Sequence, residues 1–383
     1  SVFGEILSDI ALILAAAQLA KIATTFGPAE FFALGLFALT IIGFVSGDSL
    51  IKGVIAGCMG LLLATVGMDP LESMPRMHFG FYELTGGLHF IAMIIGLFAI
   101  SEALIQIENS LRTTASRTVI EISQKGDDNR VTWAEFKMVF PTMLRSAPLG
   151  IFIGAIPGIG SSIAAFLAYG MAKNMSKQPE MFGKGALEGV AAAESANNGV
   201  CGATFIPLLT LGIPGDVITA IMLGAFMVHG LIPGPTLFME QGGFVSAFMI
   251  GMLITSCMHL FVALIGLRGF IQAIKLKRSL LFPLVIVLCI TGTFVAGGGQ
   301  FPIYVMLGMG ILGYLMTKFG FPIPPLLIGF ILSPMIEDGL RQALLISDGD
   351  LAIFYGRPIA MGFLVMTAAL VIWITWKHLR TQR

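Results

Sequence analysis

Long stretches without a charged residue dominate the pattern of hydrophobic and polar positions along the chain. They lie between the following pairs of charged residues: Glu30 and Asp48, Glu83 and Glu102, Arg145 and Lys173, Glu194 and Asp216, Asp216 and Glu240, Glu240 and Arg268, Lys318 and Glu337, and Arg357 and Lys377. Each stretch has roughly 17–27 residues, the length that a helix needs to cross about 30 Å of hydrocarbon. A further stretch, 280–317, is about twice that length, and three glycines at 297–299 divide it.

These stretches lack the alternating pattern of membrane barrel strands, so helices must satisfy the backbone within lipid. The pattern therefore predicts an all-α, polytopic membrane protein with about ten membrane segments. Composition agrees, because 56% of the residues are hydrophobic and 11% are charged, whereas soluble domains carry about 25% charged residues. The formal net charge of zero gives no reason to expect a nucleic-acid partner.

One long hydrophilic stretch, 107–140, divides the chain into an N-terminal membrane block, 1–106, and a C-terminal membrane block, 141–383. Lys and Arg are frequent in this stretch, in 268–278 and in the C-terminal tail. Because basic loops stay in the cytoplasm, we expect 107–140 to be a cytoplasmic linker. The segment 337–357 is acidic on balance and is expected on the outer side.

A weak internal similarity indicates a repeat. The sequence at 95–98, followed by Ser101, resembles 328–330 followed by Ser333, and each is preceded by a glycine-bearing span, 53–68 or 303–317. On this interpretation 27–106 is the remainder of a first repeat and corresponds to the later part of the C-terminal block. The partner of 141–240 would then be missing, and we expect this chain alone not to transport, because transporters of this kind use both repeats.

Two segments differ from ordinary membrane helix, since proline and glycine interrupt them at 154–162 and at 211–217. A break at membrane depth exposes backbone N–H and C=O groups, which are tolerated only against protein or a water-filled cavity. The N-terminus of the helix after a break attracts anions. We therefore predict a substrate site formed by Pro157, Gly158, Gly160, Ser161, Ser162, Thr210, Pro214 and Gly215. The alternative for each break is a kinked helix that packs through small residues.

A polar patch at 194–199 lies between apolar stretches. Side-chain oxygens of Ser195, Asn197 and Asn198 could bind a cation such as Na⁺, and Asp216 could join them. The alternatives are that Ser195 or Asn197 caps the next helix at the interface and that Asp216 is an ordinary N-cap. Neither 146–172 nor 195–239 contains Lys or Arg, so we expect a bound cation (Na⁺ or H⁺) to help balance the charge of an anionic substrate.

Enzymatic chemistry is not indicated. His229 and His259 have no second ligand at helical spacing, and no Gly-x-Ser-x-Gly nucleophile elbow occurs. The sequence implies no cofactor beyond the coupling ion. A channel-like pore, using the two breaks as a filter, stays open as an alternative to a carrier, and a membrane-embedded enzyme is a weaker one.

The same motifs resemble the large membrane subunit of the tripartite tricarboxylate transporter family. The similar segments are 26–30 (FGPAE), 66–70 (VGMDP), 154–160 (GAIPGIG), 182–190 (FGKGALEGV), 194–198 (ESANN), 207–215 (PLLTLGIPG), 229–235 (HGLIPGP) and 346–350 (ISDGD). They cover essentially the whole chain, and so long a series of linked motifs is highly specific.

The resemblance implies a secondary carrier for small carboxylates in a bacterial inner membrane, driven by a cation gradient. Its implied partners are a small membrane subunit and a periplasmic solute-binding protein. Members of the family are longer at the N-terminus and carry an earlier Pro-Gly signature in a first repeat. That signature is absent here, in agreement with the expected missing half.

Overall fold

The computed structural model describes residues 1–45, 49–69, 72–112, 131–157, 160–274 and 278–381. Its helices are α1 (Val2–Ala23), α2 (Pro28–Val45), α3 (Leu50–Ala64), α4 (Phe90–Ile94), α5 (Ser101–Arg112), α6 (Trp133–Gly154), α7 (Gly160–Met175), α8 (Leu187–Ala203), α9 (Phe205–Leu211), α10 (Val217–Val228), α11 (Leu237–Glu240), α12 (Gly242–Ile274), α13 (Arg278–Gly297), α14 (Phe301–Lys318), α15 (Ile323–Ile346), α16 (Ala352–Tyr355) and α17 (Pro358–Thr381). A π-helical stretch, Ile95–Ile100, joins α4 to α5.

The rest of the regular structure is short. Two antiparallel strands, Gly67–Met68 and Pro75–Arg76, pair after α3. Single 3₁₀ turns lie at Tyr82–Gly86 and Pro179–Met181. Five helical segments are long and apolar enough to cross a membrane, and five shorter apolar helices accompany them within the described ranges. The all-α, polytopic prediction is confirmed.

The helices pack as two bundles. The first bundle comprises α1, α6–α10 and α12, with α8 in contact with α1, α6 and α7. The second bundle comprises α2–α5, α13–α15 and α17, with α15 in contact with α2 and α3. Contacts therefore cross the predicted division at 107–140, because α1 packs with the later helices and α15 and α17 pack with the early ones. Helix α10 contacts both bundles.

Close backbone approach at glycine holds the helices of each bundle together. A Cβ atom at Gly60 of α3 would lie 2.0 Å from the carbonyl oxygen of Leu326 in α15, and one at Gly150 of α6 would lie 2.1 Å from that of Ala196 in α8. Small residues drive packing in lipid, where apolar side chains gain nothing by leaving one apolar medium for another.

The second bundle contains a reciprocal arrangement of the two similar segments. Helix α3 packs against α15, and α14 packs against the π-helical stretch between α4 and α5. A Cβ atom at Gly329 would meet the Gly57 carbonyl oxygen at 2.4 Å, and one at Gly96 would meet the Met306 carbonyl oxygen at 2.3 Å. Each segment of the proposed repeat thus packs against the preceding helix of the other copy.

The two copies run in opposite directions. Lys52, at the start of α3, donates to the Phe319 carbonyl oxygen at 2.6 Å, just after the end of α14. Glu108 of α5 pairs with Lys318 and accepts a 2.9 Å hydrogen bond from the Tyr314 hydroxyl. The start of α3, the end of α14 and the end of α5 therefore share one side, so the two similar segments run in opposite directions, as the two copies of an inverted repeat would.

Ion pairs connect the loop after α3 to the C-terminal half of α15 on the opposite side. Arg76 contacts the Glu337 carboxylate at 2.6 Å, and Arg341 contacts that of Asp69 at 2.7 Å. The hydrogen bond with Glu337 raises the pKa of Arg76 above its ordinary value. The acidic segment 337–357 thus lies opposite the basic end of α14, as the predicted orientation requires. The basic residues Lys275 and Lys277, and most of 107–140, lie outside the described residues.

Candidate functional site

The first predicted break separates α6 from α7. Helix α6 ends at Gly154 and α7 begins at Gly160, where φ is +76°. Arg145 of α6 and Met175 of α7 line the same small cavity, so the two helices form an antiparallel hairpin with the break at its tip. Pro157 is half-buried at this tip.

The polar residues of this tip follow the break directly. Ser161 is half-buried and Ser162 is exposed, both in the first turn of α7. No acidic residue occupies that turn. The predicted residue Gly158 lies outside the described residues, as does Ile159.

The second predicted break separates α9 from α10. Helix α9 ends at Leu211, and Gly212 turns the chain with φ +73°, a conformation that favours glycine. Pro214 and Gly215 follow, both buried. The interruption expected at 211–217 is confirmed, as is that at 154–162.

Asp216 is the N-cap of α10. Its Oδ1 accepts hydrogen bonds from the Thr219 backbone N–H at 2.8 Å and from the Thr219 hydroxyl at 2.8 Å. The Asp216 N–H donates to the Thr219 hydroxyl oxygen in return. This is the ordinary N-cap that the sequence left as one of two alternatives, and it places a carboxylate at the positive end of α10.

The two breaks meet at the C-terminal end of α8. A Cβ atom at Gly154 would lie 2.9 Å from both the Val200 carbonyl oxygen and the Ala203 Cβ. A Cβ atom at Gly215 would lie 2.9 Å from the Cβ of Thr204. The last turn of α8 is therefore the surface on which both interrupted segments pack.

Helix α1 contributes two polar residues to the same turn. The Ser8 hydroxyl accepts from the Ala203 N–H at 2.8 Å and donates to the Gly199 carbonyl oxygen at 2.5 Å. An α-helix would pair these two backbone groups directly, so the hydroxyl lies between a donor and an acceptor of α8. Asp9 follows, with no solvent exposure, and its Oδ1 lies 2.6 Å from the position of a Cβ at Gly202.

Helix α12 packs against α1 and supplies partners for the polar residues of α1. Ser256 donates to Asp9 Oδ2 at 2.5 Å, and His259 Nδ1 lies 2.6 Å from Glu5 Oε2. Glu5 and Asp9 are one turn apart on α1, as Ser256 and His259 nearly are on α12. Two polar side-chain contacts, one helical turn apart, therefore connect α1 and α12.

The predicted cation ligands lie inside α8. Ser195 is buried, and its hydroxyl has no hydrogen-bond partner in the described part of the chain. Asn198 donates to the Glu194 carbonyl oxygen at 2.9 Å and to its carboxylate at 3.2 Å. Asn197 is half-buried. The alternative that Ser195 or Asn197 caps the next helix is wrong, because α8 continues unbroken through both residues.

Thr210 is also turned toward its own helix. Its hydroxyl is fully buried and donates to the Ile206 carbonyl oxygen at 2.6 Å. Of the predicted substrate residues, Pro214 and Gly215 thus lie beside the end of α8, whereas Thr210 uses its hydroxyl locally.

Sequence reasoning missed Ser8, Asp9 and Ser256. The signal was present, because an ionisable residue inside an apolar span of helix length is a functional hypothesis by default. His259 was considered only as a metal ligand with helical spacing, a test that does not detect a partner on another helix. Among the described residues no group of three or more His, Cys, Asp or Glu could hold a metal ion.

A cavity of about 590 Å³ opens between the two bundles beside the second break. Its lining includes Gly212 and Pro233–Pro235 from the first bundle and Ile331 and Pro334 from α15. It lies near the end of α1, at Ala23 and Thr24, and most of its lining is apolar. A boundary cavity of this kind is where binding sites occur most often.

Interrupted helices, oppositely directed helix pairs and a buried carboxylate within a membrane-spanning helix are features of multi-pass membrane transporters. The comparison with known families agrees, since the model of the tripartite tricarboxylate transporter TctA family matches residues 1–328. The chain belongs to this family, whose members are components of tripartite transporters, as the resemblance implied.

Two relatives come from Agrobacterium vitis. One, described as "Uncharacterized 52.8 kDa protein in TAR-I ttuC' 3'region", is 35% identical over 388 residues, which cover 100% of this chain and 75% of the relative. The other, "Uncharacterized protein in TAR-II ttuC' 3'region", is 38% identical over 238 residues, covering 61% of this chain and 97% of the relative. No solved structure matches.

Proposed function

We propose that the chain is the large membrane subunit of a cation-coupled secondary transporter for small carboxylates in the bacterial inner membrane. It works with a small membrane subunit and a periplasmic solute-binding protein. The observation that carries this proposal is the meeting of two interrupted membrane segments at the last turn of α8. Transporters place substrate sites at such breaks, near the middle of the bilayer.

The substrate carboxylate binds at the hairpin tip, at Pro157, Gly158, Gly160, Ser161 and Ser162. Two helix N-termini follow the breaks, but they differ in charge. Asp216 already caps α10, so the positive end of that helix is occupied by a carboxylate. The first turn of α7 has no acidic residue and offers backbone N–H groups together with two hydroxyls. Pro214, Gly215 and Thr210, at the second break, form the side of the substrate site opposite the hairpin tip.

A cation, Na⁺ or H⁺, binds with the substrate and offsets its charge. No Lys or Arg occurs in 146–172 or 195–239, so backbone dipoles alone would face a multiply charged anion. One helix terminus supplies roughly half an elementary charge. The unpartnered Ser195 hydroxyl and the half-buried Asn197 are the side chains of α8 best suited to take part, with Asn198 beside them.

The test is transport by proteoliposomes that contain this chain with its small membrane subunit and solute-binding protein, using labelled citrate and other small carboxylates. A carrier shows counterflow, in which internal unlabelled substrate accelerates uptake of external label. Ser161→Ala should weaken apparent substrate affinity several-fold, and Asn197→Ala should weaken the cation and substrate dependence together. Glu240→Gln, far from the breaks in sequence, serves as the control.

Flux without counterflow would favour a channel-like pore and overturn the carrier proposal. Saturable exchange with no dependence on Na⁺ or pH would keep the carrier and overturn the cation coupling. An enzyme is disfavoured because the family to which the chain belongs is a family of transporters.

A further inference from the structure

Asp9 is the most deeply buried carboxylate on α1, and its surroundings leave its charge unbalanced. The residue has no solvent exposure, and no described ion pair includes it. Ser256 Oγ lies 2.5 Å from its Oδ2, whereas Oδ1 has no hydrogen-bond partner in the described ranges. An ionised carboxylate held this way within a membrane-spanning helix is strongly unfavourable.

The surrounding helices supply no cation to neutralise it. The titratable groups near Asp9 are Glu5 on its own helix, His259 on α12 and Cys201 on α8. Helix α9 carries none, and those of α6 lie in its first part, at Glu135, Lys137 and Arg145. His259 is engaged by Glu5 at 2.6 Å, one turn away from Asp9.

We propose that Asp9 carries the coupling proton of the transporter. The inference rests on the proposed function and narrows it: the coupling cation is a proton, and Asp9 holds it in place of the α8 side chains Ser195, Asn197 and Asn198. When charged, Asp9 Oδ2 accepts the hydrogen bond from Ser256. When neutral, a proton on Oδ2 donates to the same Ser256 oxygen, and Oδ1 becomes an uncharged carbonyl oxygen. The 2.5 Å separation suits both arrangements.

Space around the carboxylate favours a proton over a metal ion. Oδ1 faces Gly202, where even one added Cβ atom would lie 2.6 Å away. The Ser8 hydroxyl already donates to Gly199 and accepts from Ala203, so it has little capacity left for a metal ion. A bound metal ion would need several oxygen ligands and room for them.

The Glu5–His259 pair is the route by which the proton reaches Asp9. The His259 side chain is 38% exposed and that of Glu5 is 16% exposed, whereas Asp9 has no solvent exposure. On this proposal the pair relays the proton to the buried carboxyl along the α1–α12 interface, over one helical turn of about 6 Å.

Asp9 is also placed to change the substrate site. It contacts Gly202, and the next residues, Ala203 and Thr204, contact the two breaks. A change of charge at Asp9 alters the electrostatics of the α8 end against which both interrupted segments pack. This gives a physical link between proton binding and substrate binding.

The first test separates exchange from accumulation in proteoliposomes containing the complete transporter. With Asp9→Asn, counterflow of citrate should persist at equal pH, while accumulation driven by an inward proton gradient should fall to the level seen without a gradient. Glu180→Gln, an exposed carboxylate in the turn after α7, is the control and should accumulate substrate normally. Accumulation by Asp9→Asn equal to wild type, or accumulation driven by Na⁺ at equal pH, overturns the proposal.

The second test needs no transport and therefore also decides the case if Asp9→Asn lacks activity. Infrared difference spectra of the purified full chain, taken across a pH titration, should contain a protonated-carboxyl band. The band should vanish in Asp9→Asn, shift in Asp9→Glu and persist in Glu180→Gln. A band unchanged by Asp9→Asn overturns the assignment. If wild-type protein instead exchanges no carboxylate but shows the Asp9 band, the proposed function fails while the proton site stands.

Discussion

The two bundles differ in where their polar and charged groups lie along the membrane helices. In the second bundle, charged residues form pairs near the ends of the helices: Arg76 and Arg341 contact Asp69 and Glu337 at one end, and Lys318 contacts Glu108 at the other. In the first bundle, the buried polar atoms without a partner among the described residues lie on helices: Asp9 Oδ1, Ser146 Oγ and Ser195 Oγ. In the second bundle they are Arg76 Nε, His89 Nδ1 and Asp338 Oδ1, which lie beside the ion pairs or at the N-cap of α4. Satisfied polar groups rigidify a structure, and unsatisfied buried ones are unusual enough to require an explanation.

The breaks follow the same division. Both predicted interruptions, after Gly154 and after Leu211, belong to the first bundle. The second bundle is built around α3, α14 and α15, with Gly60 and Gly329 in direct backbone contact with neighbouring helices. Both predicted breaks thus lie in the first bundle, and the cavity of about 590 Å³ lies at its boundary with the second bundle.

The largest effect should come from overpacking the second bundle. Gly60→Val places a Cβ where the Leu326 carbonyl oxygen is only 2.0 Å away, and backbone cannot move aside as a flexible side chain can. Overpacking of this kind costs about 1–3 kcal/mol or more. We expect loss of folded protein, measured by size-exclusion chromatography in detergent and by thermal unfolding.

Gly308→Val is the matched control, on α14, where an added Cβ would meet nothing within 4 Å. If both variants unfold alike, close packing at Gly60 is not the cause. Equal stability of Gly60→Val and wild type would show that α3 and α15 do not depend on this contact.

The second-largest effect should show that a change in the first bundle affects substrate affinity, whereas a change in the second bundle affects stability. Ser161→Ala should reduce apparent substrate affinity several-fold with little change in thermal stability, because the hydroxyl is half-buried and makes no hydrogen bond within the described chain. Glu337→Gln should do the reverse, since it removes a charge that Arg76 and Arg341 share. Uptake kinetics and melting temperature measured on both variants test the division. Changes in both quantities for both variants would contradict it.

Much of this division could be predicted from the sequence. Charge-free stretches of helix length predicted the membrane segments, and the proline and glycine at 157–158 and 214–215 marked both breaks, because these residues end helices through local sterics. The repeat was visible only as a faint similarity, and its inverted direction depends on tertiary contacts such as Lys52 with Phe319.

The polar contacts between distant helices could not be read from spacing. Asp9 and Ser256 are 247 residues apart in the sequence, and Ser8 and its partner Ala203 on α8 are 195 residues apart. The alternative interpretation of 194–199, in which Ser195 or Asn197 caps the next helix, was wrong because α8 continues through both residues. Packing against α1, α6 and α7 outweighs the weak helix propensity of Asn.

A smaller effect should come from Arg341→Met. The change removes the 2.7 Å contact with Asp69, whose side chain is 8% exposed, but Arg76 still contacts that carboxylate at 3.3 Å. We expect only a small loss of stability, since exposed ion pairs contribute little. Because the pKa of Arg76 is raised, the stabilisation from its ion pairs is present at neutral pH. It is lost only when the pH rises to strongly alkaline values. Thermal unfolding of Arg341→Met and of Arg341→Lys would measure it, and a loss as large as that of Gly60→Val would contradict the estimate.

The smallest effect, and the one that most sharpens the comparison, concerns Asp216. Its Oδ1 caps α10 through Thr219, an arrangement that Asn can reproduce and Ala cannot. If capping is its whole role, Asp216→Ala should cost about 1 kcal/mol of stability and Asp216→Asn almost nothing, with transport by Asp216→Asn unchanged. If Asp216 also binds a cation, as the sequence allowed, Asp216→Asn should keep stability and lose cation dependence, because the amide keeps the cap but not the charge. Thermal unfolding and uptake at varied Na⁺ and pH distinguish the two. We expect the first outcome, because the carboxylate already neutralises the positive end of α10, which leaves α7 as the helix that receives the substrate anion.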